Sequence, residues 1–576
     1  MNDTIKEIRW VVKSADEIIV NSLQETLKIH PVFCKLLAQR GITNFEEAKL
    51  FFRPALENLH NPFLMKDMDK AIERIEKAIA KNEKILFYGD YDVDGTTSVA
   101  LIYTFFKNFY PNIGFYIPDR YSEGYGISFQ GIDYAVENSF SLIVALDCGI
   151  KSVDKIDYAN ERNIDFIICD HHLPGDEIPK AVAVLDPKRS DCDYPYKELS
   201  GCGIGFKLCQ AYAIHNNVPL EIVYELLDFV AVSIAADIVP ITGENRILAH
   251  FGMKKINENP CPGLRSIIEL SDMKRALQIS DLVFVVGPRI NAAGRVKHAN
   301  QAVELLIAAH SDCNKETSEK ADELNSANSE RQGLDREITE EALSILKSSS
   351  LYENRKSTVL FQPHWHKGVI GIVASRLIDS FYRPTIILTE SNGKATGSAR
   401  SIKGFNIYEA IKSCADLLEQ YGGHMYAAGL TMPLENVEIF IQRFEEIVTS
   451  TIEDHMLTPE IEIDTELNFA DINERFFNIL KQFAPFGPGN MRPVFLTKNV
   501  KDRGGSRIVG ENHLKLDLLH RDTAGNGIAF GMAHFAEHVL SKGKPPMPFD
   551  ICYNIEENEW NGNKTLQLNI RDIKIS

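Results

Sequence analysis

A chain of 576 residues exceeds what one hydrophobic core can hold, so three or four domains are expected. The net charge of −18 argues mildly against a broad nucleic-acid-binding surface, although a cleft can be locally basic on an acidic protein. No apolar run is as long as a membrane span, the N-terminus lacks a signal pattern, and the ten cysteines show no CxxC pair or zinc spacing. These features predict a cytoplasmic protein without membrane association.

The first part of the chain, residues 1–80, is predicted to form an N-terminal helical region. Its pattern contains two short amphipathic helices joined by Gly41, and no chemistry is visible in it. Residues 81–310 instead alternate apolar, strand-like runs with helical stretches. This alternation predicts an α/β domain with a parallel sheet.

The first strand of that domain ends in a cluster of acids. The stretch KILFYGDYDVDGTT places Asp90, Asp92 and Asp94 after an apolar run, and Thr96 and Thr97 can cap the helix that follows. Three carboxylates this close repel one another unless a cation neutralises them, and Mg²⁺ or Mn²⁺ prefers such oxygen ligands. A helix cap with a calcium-like loop is the alternative, and this stretch alone leaves both interpretations open.

Two further apolar runs end in polar side chains of the same kind. SLIVALDCG ends in Asp147, and DFIICDHH ends in Asp170, His171 and His172. Ligands of parallel sheets bind at the carboxyl ends of the strands, where these side chains should meet. One histidine at a strand end is more often structural than a ligand. The convergence of several acids and imidazoles predicts a metal centre.

Three other places in this domain carry candidate binding groups. Asp237 interrupts the apolar helix FVAVSIAADIVPI, so it is interpreted as a buried acid that is either a metal ligand or a paired structural group. The small-residue loop GPRINAAGR carries Arg289, Asn291 and Arg295, which can hold phosphate oxygens or remain solvated. Arg120 lies in YIPDRYSEGYGI, a loop that approaches a ligand or simply covers the surface.

A long polar stretch separates this domain from a second α/β unit. Residues 311–354 predict an exposed connecting helix, and residues 355–458 predict the second unit. In that unit Ser398, Arg400 and His424 lie among small residues that allow close backbone approach. Such stretches suit phosphate or nucleotide binding, and tight packing is the alternative.

The last part of the chain, residues 459–576, changes character again. Runs such as HLKLDLL and TLQLNIRDIKI alternate apolar and polar residues, and Asn561-Gly562 predicts a hairpin turn. Several short antiparallel strands of this kind predict a C-terminal β-barrel of the OB-fold type.

Taken in order, these motifs resemble the RecJ family of the DHH phosphoesterase superfamily. The similarity begins near residue 35 and includes GDYDVDG, LDCG, DHH, AADIVP, GPRINAAGR, HWHKGVIGIVASRL, GSARS, GGHMYAAG and FAPFGPGN. It implies a DHH domain and a DHHA1 domain, joined by a long helix and separated by a cleft, with an OB-fold at the cleft entrance. The implied activity is processive 5′→3′ degradation of single-stranded DNA to 5′-mononucleotides in recombination and repair.

The resemblance also implies a site with two Mn²⁺ or Mg²⁺ ions. The implied metal ligands are Asp90, Asp92, Asp94, Asp147, His171 and Asp237. Asp147 would bridge the ions, His172 would bind the scissile phosphate, and Asp170 would orient the imidazoles. The sequence departs from related phosphatases at Tyr88, where those proteins often carry a histidine, so a direct metal contact of Asp90 is the least secure of the set.

Further residues are implied to hold the DNA. Arg289, Asn291 and Arg295 would bind phosphates along the strand. A second set would bind the terminal 5′-phosphate and so give 5′-end polarity: Arg120, Ser398 and Arg400, with His424 as a further phosphate-binding candidate.

The partners implied are single-stranded DNA, a single-strand-binding protein and a helicase, with the chain itself a monomer. One alternative is a small-substrate DHH phosphoesterase, such as an oligoribonuclease or a cyclic-dinucleotide phosphodiesterase. The β-rich tail argues against it, because a dinucleotide needs no such platform. A second alternative is a non-catalytic replication scaffold, which the presence of the acids and His171 argues against.

Overall fold

The computed structural model describes residues 8–296, 298–308, 315–540, 545–560 and 563–575. Four sheets organise these residues: two of five strands, one of seven strands and one of two strands. The architecture confirms the predicted fold class, an α/β multidomain protein with a parallel-sheet domain, a long helix and a C-terminal β-barrel. The domain boundaries given above stay predictions.

The N-terminal segment packs with the far end of the chain. Its elements are β1 (Arg9–Val12), α1 (Glu17–Leu27), α2 (Pro31–Ala38) and α3 (Phe45–Phe52). The helices α2 and α3 flank Gly41, as predicted, but β1 pairs in parallel with the strand Glu460–Ile463, which the pattern did not show. Phe33 of α2 shares a core with Phe476, Phe483 and Phe495 of the C-terminal part.

The first α/β unit is built on five parallel strands. They are β2 (Lys84–Gly89), β3 (Ile113–Tyr116), β4 (Phe140–Leu146), β5 (Asp165–Cys169) and β6 (Ala183–Leu185), in the spatial order β3-β2-β4-β5-β6. The helices around them are α4 (Met68–Ala80), α5 (Val93–Lys107), α6 (Phe129–Glu137), α7 (Val153–Glu161), α8 (Gly201–His215), α9 (Leu220–Tyr224), α10 (Leu227–Ala236), α11 (Gly243–Glu258), α12 (Pro262–Glu269), α13 (Ile279–Asp281), α14 (Gly287–Val296) and α15 (Asn300–Leu306). The strands are buried on both faces, which explains their nearly continuous apolar sequences.

The GPRINAAGR stretch is not the loop that its small residues predicted. It forms α14, which continues directly from a π-helical turn at Leu282–Val286. Pro288 has no N–H to donate, and it follows the π-helical turn, where the regular α-helical hydrogen-bond ladder is already interrupted. This helix carries Arg289, Asn291 and Arg295.

The predicted connecting helix is α16 (Lys315–Ser348), 34 residues long, which at 1.5 Å per residue extends about 50 Å. The part of the prediction that covers residues 311–314 lies outside the described residues. The helix contacts α14 on one side and the next unit on the other. That unit contains β7 (Thr358–Phe361), α17 (Ile370–Ser380), β8 (Thr385–Ser391), β9 (Lys394–Arg400), α18 (Ile407–Lys412), β10 (Gln420–His424), β11 (Ala427–Pro433) and α19 (Val437–Thr451).

The C-terminal part forms the predicted barrel. Its elements are β12 (Glu460–Ile463), β13 (Thr465–Glu466), α20 (Glu474–Lys481), β14 (Phe495–Asp502), β15 (Arg507–Val509), β16 (His513–His520), β17 (Thr523–Ala529), α21 (Ala536–Val539), β18 (Phe549–Trp560) and β19 (Asn563–Ile575). A β14–β16 pairing closes the seven-stranded sheet. The predicted turn at Asn561-Gly562 lies outside the described residues, although the flanking strands pair antiparallel.

One buried arginine joins three parts of the molecule. Arg246 of α11 is only 4% exposed, and its guanidinium donates hydrogen bonds to the carbonyl oxygens of Phe51, Gln482 and Phe483 at 2.8–3.1 Å. It thereby fixes the N-terminal helices and the start of the barrel on the parallel-sheet unit. Among the described residues, no helix is both long and apolar enough to cross a membrane.

Candidate metal centre

The carboxyl ends of three adjacent strands bring the predicted polar residues together. Asp90 follows β2, Asp147 follows β4, and Asp170, His171 and His172 follow β5. Because β2 pairs with β4 and β4 with β5, all in parallel, these residues share one edge of the sheet. This is the edge at which open parallel sheets bind ligands.

The acids after β2 also shape the start of α5. Asp92 is the N-cap of that helix, and its Oδ1 accepts a hydrogen bond from the Gly95 amide at 3.0 Å. The predicted capping by Thr96 and Thr97 is therefore wrong, because an earlier oxygen acceptor already starts the helix. Both threonines lie inside α5, where their hydroxyls donate to backbone carbonyls one turn earlier.

Asp94 is held by the beginning of another helix. Its carboxylate accepts hydrogen bonds from the amides of Gly201 and Cys202, at the start of α8, and from the Ser233 hydroxyl, each at 2.7 Å. A helix N-terminus attracts negatively charged groups, so this contact fixes the orientation of the carboxylate. Sequence reasoning missed α8, although the glycine spacing of SGCGIG was a signal for close backbone approach.

Position 201 requires glycine because α8 begins close to the strand ends. A Cβ at position 201 would lie 2.6 Å from the Cβ and 2.8 Å from Oδ1 of Asp147. Asp147 itself has a left-handed backbone with φ of 59°. A non-glycine residue with positive φ is uncommon and often marks a functional position.

His171 lies at the centre of three carboxylates. Its Nε2 atom is 3.1 Å from Asp147 Oδ1, 3.6 Å from Asp237 Oδ2 and 3.8 Å from Asp94 Oδ2. The ring is only 5% exposed, yet neither of its nitrogens has a hydrogen-bond partner within the described part of the chain. A buried imidazole without partners and surrounded by carboxylate oxygens is an arrangement that a bound cation would complete.

Two overlapping sets of donor atoms, each within 4.8 Å, could hold metal ions. One set is Asp94, His171 and Asp237, and the other is Asp147, His171 and His172. The oxygen and imidazole donors fit Mg²⁺ or Mn²⁺. His172 lies within reach of this set, but its Nδ1 is paired with Asp170, and that pairing favours a protonated ring, which cannot bind a metal ion.

The pKa values show an excess of negative charge here. Burial and the neighbouring Asp92 raise the pKa of Asp90 well above its usual range, and Asp90 Oδ2 lacks a partner among the described residues. Burial, Asp94 and Asp92 raise the pKa of Asp147 in the same way. Divalent cations would remove this repulsion, so the residues present fit a metal centre.

Asp237 is not the buried acid that the sequence predicted. Its side chain is 33% exposed, because α10 ends at Ala236 and Asp237 caps it at the open side of the site. The next residue, Ile238, has φ of 57° and is 61% exposed. The apolar run therefore ends before Asp237, and the carboxylate lies at the rim instead of in the core.

His172 and Asp170 form a tight pair. Asp170 Oδ1 lies 2.7 Å from His172 Nδ1 and also accepts hydrogen bonds from the backbone amides of His171 and His172. Burial alone would lower the pKa of His172, but the hydrogen bond to Asp170 and the surrounding acids raise it to about 9. The pairing with Asp170 therefore favours the protonated ring, and its Nε2 lies 3.4 Å from the Tyr125 hydroxyl.

Tyr88 has a structural role. Its side chain is fully buried, and its hydroxyl donates to the Gly126 carbonyl at 3.0 Å and accepts from the Ser128 amide at 3.1 Å. Asp90 receives a hydrogen bond from the Gly126 amide at 3.3 Å. Tyr88 thus supports the loop beside Asp90.

Basic side chains gather where the two α/β units meet. Arg295 of α14 donates to the Gly368 carbonyl at 2.8 Å, and Arg400 of β9 donates to Ser398 Oγ at 3.1 Å. Burial and the repulsion of Arg120, Arg331 and Arg400 lower the pKa of Arg295 to about 9. We call this group, Arg120, Arg295, Ser398 and Arg400, the interdomain arginine cluster.

The remaining predicted phosphate-binding residues lie in different surroundings. Arg289 donates to Asn325 Oδ1 at 3.1 Å and to the Val285 carbonyl at 2.8 Å, so it braces α14 against α16. Asn291 is partly buried on α14. His424 is exposed at the end of β10.

Comparison with known proteins agrees with the order of two α/β units followed by a barrel. Three family models match the chain: the DHH family N-terminal domain at residues 84–234, the DHHA1 domain at 354–450 and the RecJ OB domain at 463–572. The single-stranded-DNA-specific exonuclease RecJ of Bacillus subtilis is 36% identical over 575 residues, which are 99% of this chain and 71% of that protein. The chain belongs to the RecJ family. RecJ of Escherichia coli is 31% identical, over 95% of this chain and 96% of that protein.

Solved RecJ structures have the same architecture. RecJ from Thermus thermophilus in complex with Mn²⁺ matches with a TM-score of 0.84 and 26% identity, over 100% of this chain and 80% of that chain. The same protein in complex with Mg²⁺ matches with a TM-score of 0.77 and 25% identity, over 99% of this chain and 79% of that chain. The whole-chain match agrees with the predicted order of DHH, DHHA1 and OB-fold parts.

Proposed function

We propose that this RecJ-family chain is a metal-dependent exonuclease specific for single-stranded DNA, which works in the 5′→3′ direction and releases 5′-mononucleotides. The observation that carries the proposal is His171, a buried imidazole without hydrogen-bond partners among three carboxylates. A cation centre of this kind suits the hydrolysis of a phosphodiester. DNA recombination and repair are the processes in which such an activity acts.

The metal ions would be Mn²⁺ or Mg²⁺, which the Thermus thermophilus RecJ structures contain. The residues that would hold two of them are Asp90, Asp92, Asp94, Asp147, His171 and Asp237. When bound, such ions neutralise phosphate charge and make water a better nucleophile. The chain prepares the site by fixing Asp94 on α8 and by bringing Asp147 close to His171.

The Asp170–His172 pair would bind the scissile phosphate. With a pKa of about 9, the imidazole of His172 is protonated and can donate a charge-assisted hydrogen bond from Nε2 to a phosphate oxygen. Asp170 binds Nδ1 and so holds the ring in that orientation. The buried Asp170 also fixes the local backbone, because it accepts from the His171 and His172 amides.

Two groups of basic and polar residues would give the 5′ polarity, and the barrel would give the specificity for single strands. Arg289, Asn291 and Arg295 would bind phosphates near the scissile bond, while Arg120, Ser398, Arg400 and His424 would bind the 5′ end. The barrel would supply the stacking surface for single-stranded bases. A monomer that works with a single-strand-binding protein and a helicase in the cytoplasm fits this role.

A nuclease assay on end-labelled strands tests the proposal. With Mn²⁺ or Mg²⁺ we expect mononucleotides to be released from the 5′ end of single strands, with at least tenfold slower release from blunt duplexes. EDTA should stop the reaction, because the carboxylates then lose the cations that hold phosphate at the site. Release from the 3′ end, or activity that persists in EDTA, would contradict the proposal.

The Arg400→Ala variant tests the origin of the polarity. A terminal 5′-phosphate carries nearly two negative charges and an internal diester one, so a guanidinium favours the end. We expect the rate ratio between 5′-phosphate and 5′-hydroxyl oligonucleotides to fall about tenfold, equivalent to one charge-assisted hydrogen bond. An unchanged ratio in a folded variant would move the assignment to Arg120.

A further inference from the structure

Ile238 has a backbone conformation that isoleucine rarely adopts. Its φ is 57°, in the left-handed region, and among the described residues it is the only β-branched residue with a positive φ. The others, apart from glycines, are asparagines, aspartates, a serine, a lysine and an arginine. A left-handed β-branched residue is a true outlier, because its branched Cβ crowds the backbone. Backbone outliers of this kind cluster at functional sites.

The left-handed conformation of Ile238 belongs to the end of α10. Asp237 is the C-cap, and its amide donates to the Ser233 carbonyl at 2.9 Å, so Ile238 is the first residue after the helix. A left-handed residue is common at this position, and it is usually glycine, which has no Cβ to clash. Pro240 follows two residues later, where it cannot continue the helix. The turn therefore needs a left-handed residue, but it does not need a side chain.

The side chain of Ile238 is not used for packing within the chain. It is 61% exposed, whereas Val239 and Ile241 are 7% and 1% exposed and belong to the core of the first α/β unit. A single exposed isoleucine is ordinary on a protein surface. An exposed isoleucine that also strains the backbone is not ordinary, because glycine or asparagine would relieve the strain without loss of packing. A contact with a ligand would account for both properties.

Ile238 lies between the metal centre and the barrel. On one side it follows Asp237, whose Oδ2 is 3.6 Å from His171 Nε2. On the other side the chain reaches the loop before β14, where the Ile241 amide donates to the Pro488 carbonyl at 2.7 Å. A strand that is bound by the barrel and cleaved at the metal centre passes this segment.

We propose that Ile238 is a specificity-determining residue that packs against the nucleobase immediately 3′ of the scissile phosphate. This inference rests on the proposed exonuclease function and deepens it, because it names a group that meets the incoming strand beside the metal centre. An aliphatic side chain forms no hydrogen bonds, so its contact with the face of a base is independent of the sequence. A base within a duplex is stacked on both faces and is not accessible to such a contact.

The deciding experiment uses the full chain with Mn²⁺ and 5′-phosphorylated single strands that carry either a normal nucleotide or an abasic residue at the second position. In the wild type, the abasic residue should lower kcat/KM for release of the first nucleotide about tenfold, the effect of losing one buried aliphatic contact. Ile238→Gly should cleave the normal strand about tenfold more slowly, and the abasic residue should then lower kcat/KM by less than about twofold. An abasic residue at the 3′ end should leave this first step unchanged in both proteins.

Thermal unfolding in EDTA separates this role from a structural one. Glycine and asparagine adopt the left-handed conformation without a branched Cβ, so Ile238→Gly and Ile238→Asn should unfold at or above the wild-type temperature. A residue that only stabilised the fold would lower the midpoint and slow the cleavage of both strands equally. The matched control is Ile439→Ala, which changes a 50% exposed isoleucine on α19 and should keep the wild-type rates on both strands.

The outcomes distinguish this inference from the proposed function. A wild type that cleaves both strands at the same rate, or a folded Ile238→Gly variant that keeps the wild-type ratio between them, overturns the inference alone. If Ile238→Gly does not fold, Ile238→Asn decides by the same ratio, and failure of both variants to fold also overturns the inference. A wild type without nuclease activity overturns the proposed function, and the inference falls with it.

Discussion

Asp147→Asn is expected to abolish DNA hydrolysis and, in EDTA, to make the folded protein more stable. Asp147 lies 3.1 Å from His171 and is repelled by Asp94 and Asp92 in a buried site. Removing its charge removes a ligand that two ions could share, so the rate should fall by at least 10³-fold, on the order of the loss of a primary electrostatic group. Without metal, the same change relieves buried repulsion and should raise the unfolding midpoint.

Asparagine is the right replacement because Asp147 has a left-handed backbone, with φ of 59°. Asparagine tolerates this conformation better than alanine does, so folding should be unaffected. Turnover of a labelled single strand and thermal unfolding with and without Mn²⁺ are the two measurements. Mn²⁺ should stabilise the wild type more than the variant, because binding to the folded state raises the midpoint.

The control for this prediction is Asp69→Ala, an exposed acid on α4. It should leave both turnover and the Mn²⁺ effect at wild-type values. Near-normal turnover in Asp147→Asn, or an equal Mn²⁺ effect in the variant and the wild type, would show that Asp147 is not part of the metal centre.

The features that the sequence predicted are those fixed by local pattern. Apolar runs followed by acids located β2, β4 and β5, and the parallel connection rule then placed Asp90, Asp147 and His171 at one edge. For this prediction it was enough to know that the strands are parallel and that they are neighbours in the sheet. For the same reason the barrel strands were predictable from their alternation.

The features that the sequence did not predict depend on contacts between distant segments. The hydrogen bond from Gly201 to Asp94 joins residues 107 positions apart, and the pairing of β1 with β12 joins opposite ends of the chain. No local periodicity encodes such contacts. The exposure of Asp237 was missed because the apolar run was taken to continue past the acid, although Pro240 three residues later is a typical signal for the end of a helix.

The wrong assignment of α14 has a different cause. Glycine and proline weigh against a helix in isolation, but Pro288 follows a π-helical turn, where the regular α-helical hydrogen-bond ladder is already interrupted. Packing against α16 then supplies stability that propensity alone does not. Tertiary contacts therefore decided the conformation of the segment that carries Arg295.

Gly201→Ala is expected to lower DNA hydrolysis about 100-fold with little loss of fold, because misplacing a reacting group by about 1 Å has effects of this size. The added methyl would lie 2.6 Å from Asp147 Cβ, too close for any rotamer to relieve. Either α8 or Asp147 must move, and movement of α8 also displaces the two amides that hold Asp94. Overpacking of this kind costs about 1–3 kcal/mol of stability, which a protein of this size tolerates.

The matched control for this prediction is Gly203→Ala, two residues further along the same helix. A Cβ there meets its neighbours at 3.4–3.5 Å, which is ordinary contact, so turnover should stay within twofold of the wild type. The measurements are single-turnover rates on a short 5′-phosphorylated strand and the Mn²⁺ concentration that gives half-maximal rate. In Gly201→Ala the rate should fall and the Mn²⁺ requirement should rise together, because both depend on the geometry of Asp94 and Asp147. If Gly201→Ala and Gly203→Ala behave alike, α8 does not position the metal centre, and the carboxylates must be held by the strand ends alone.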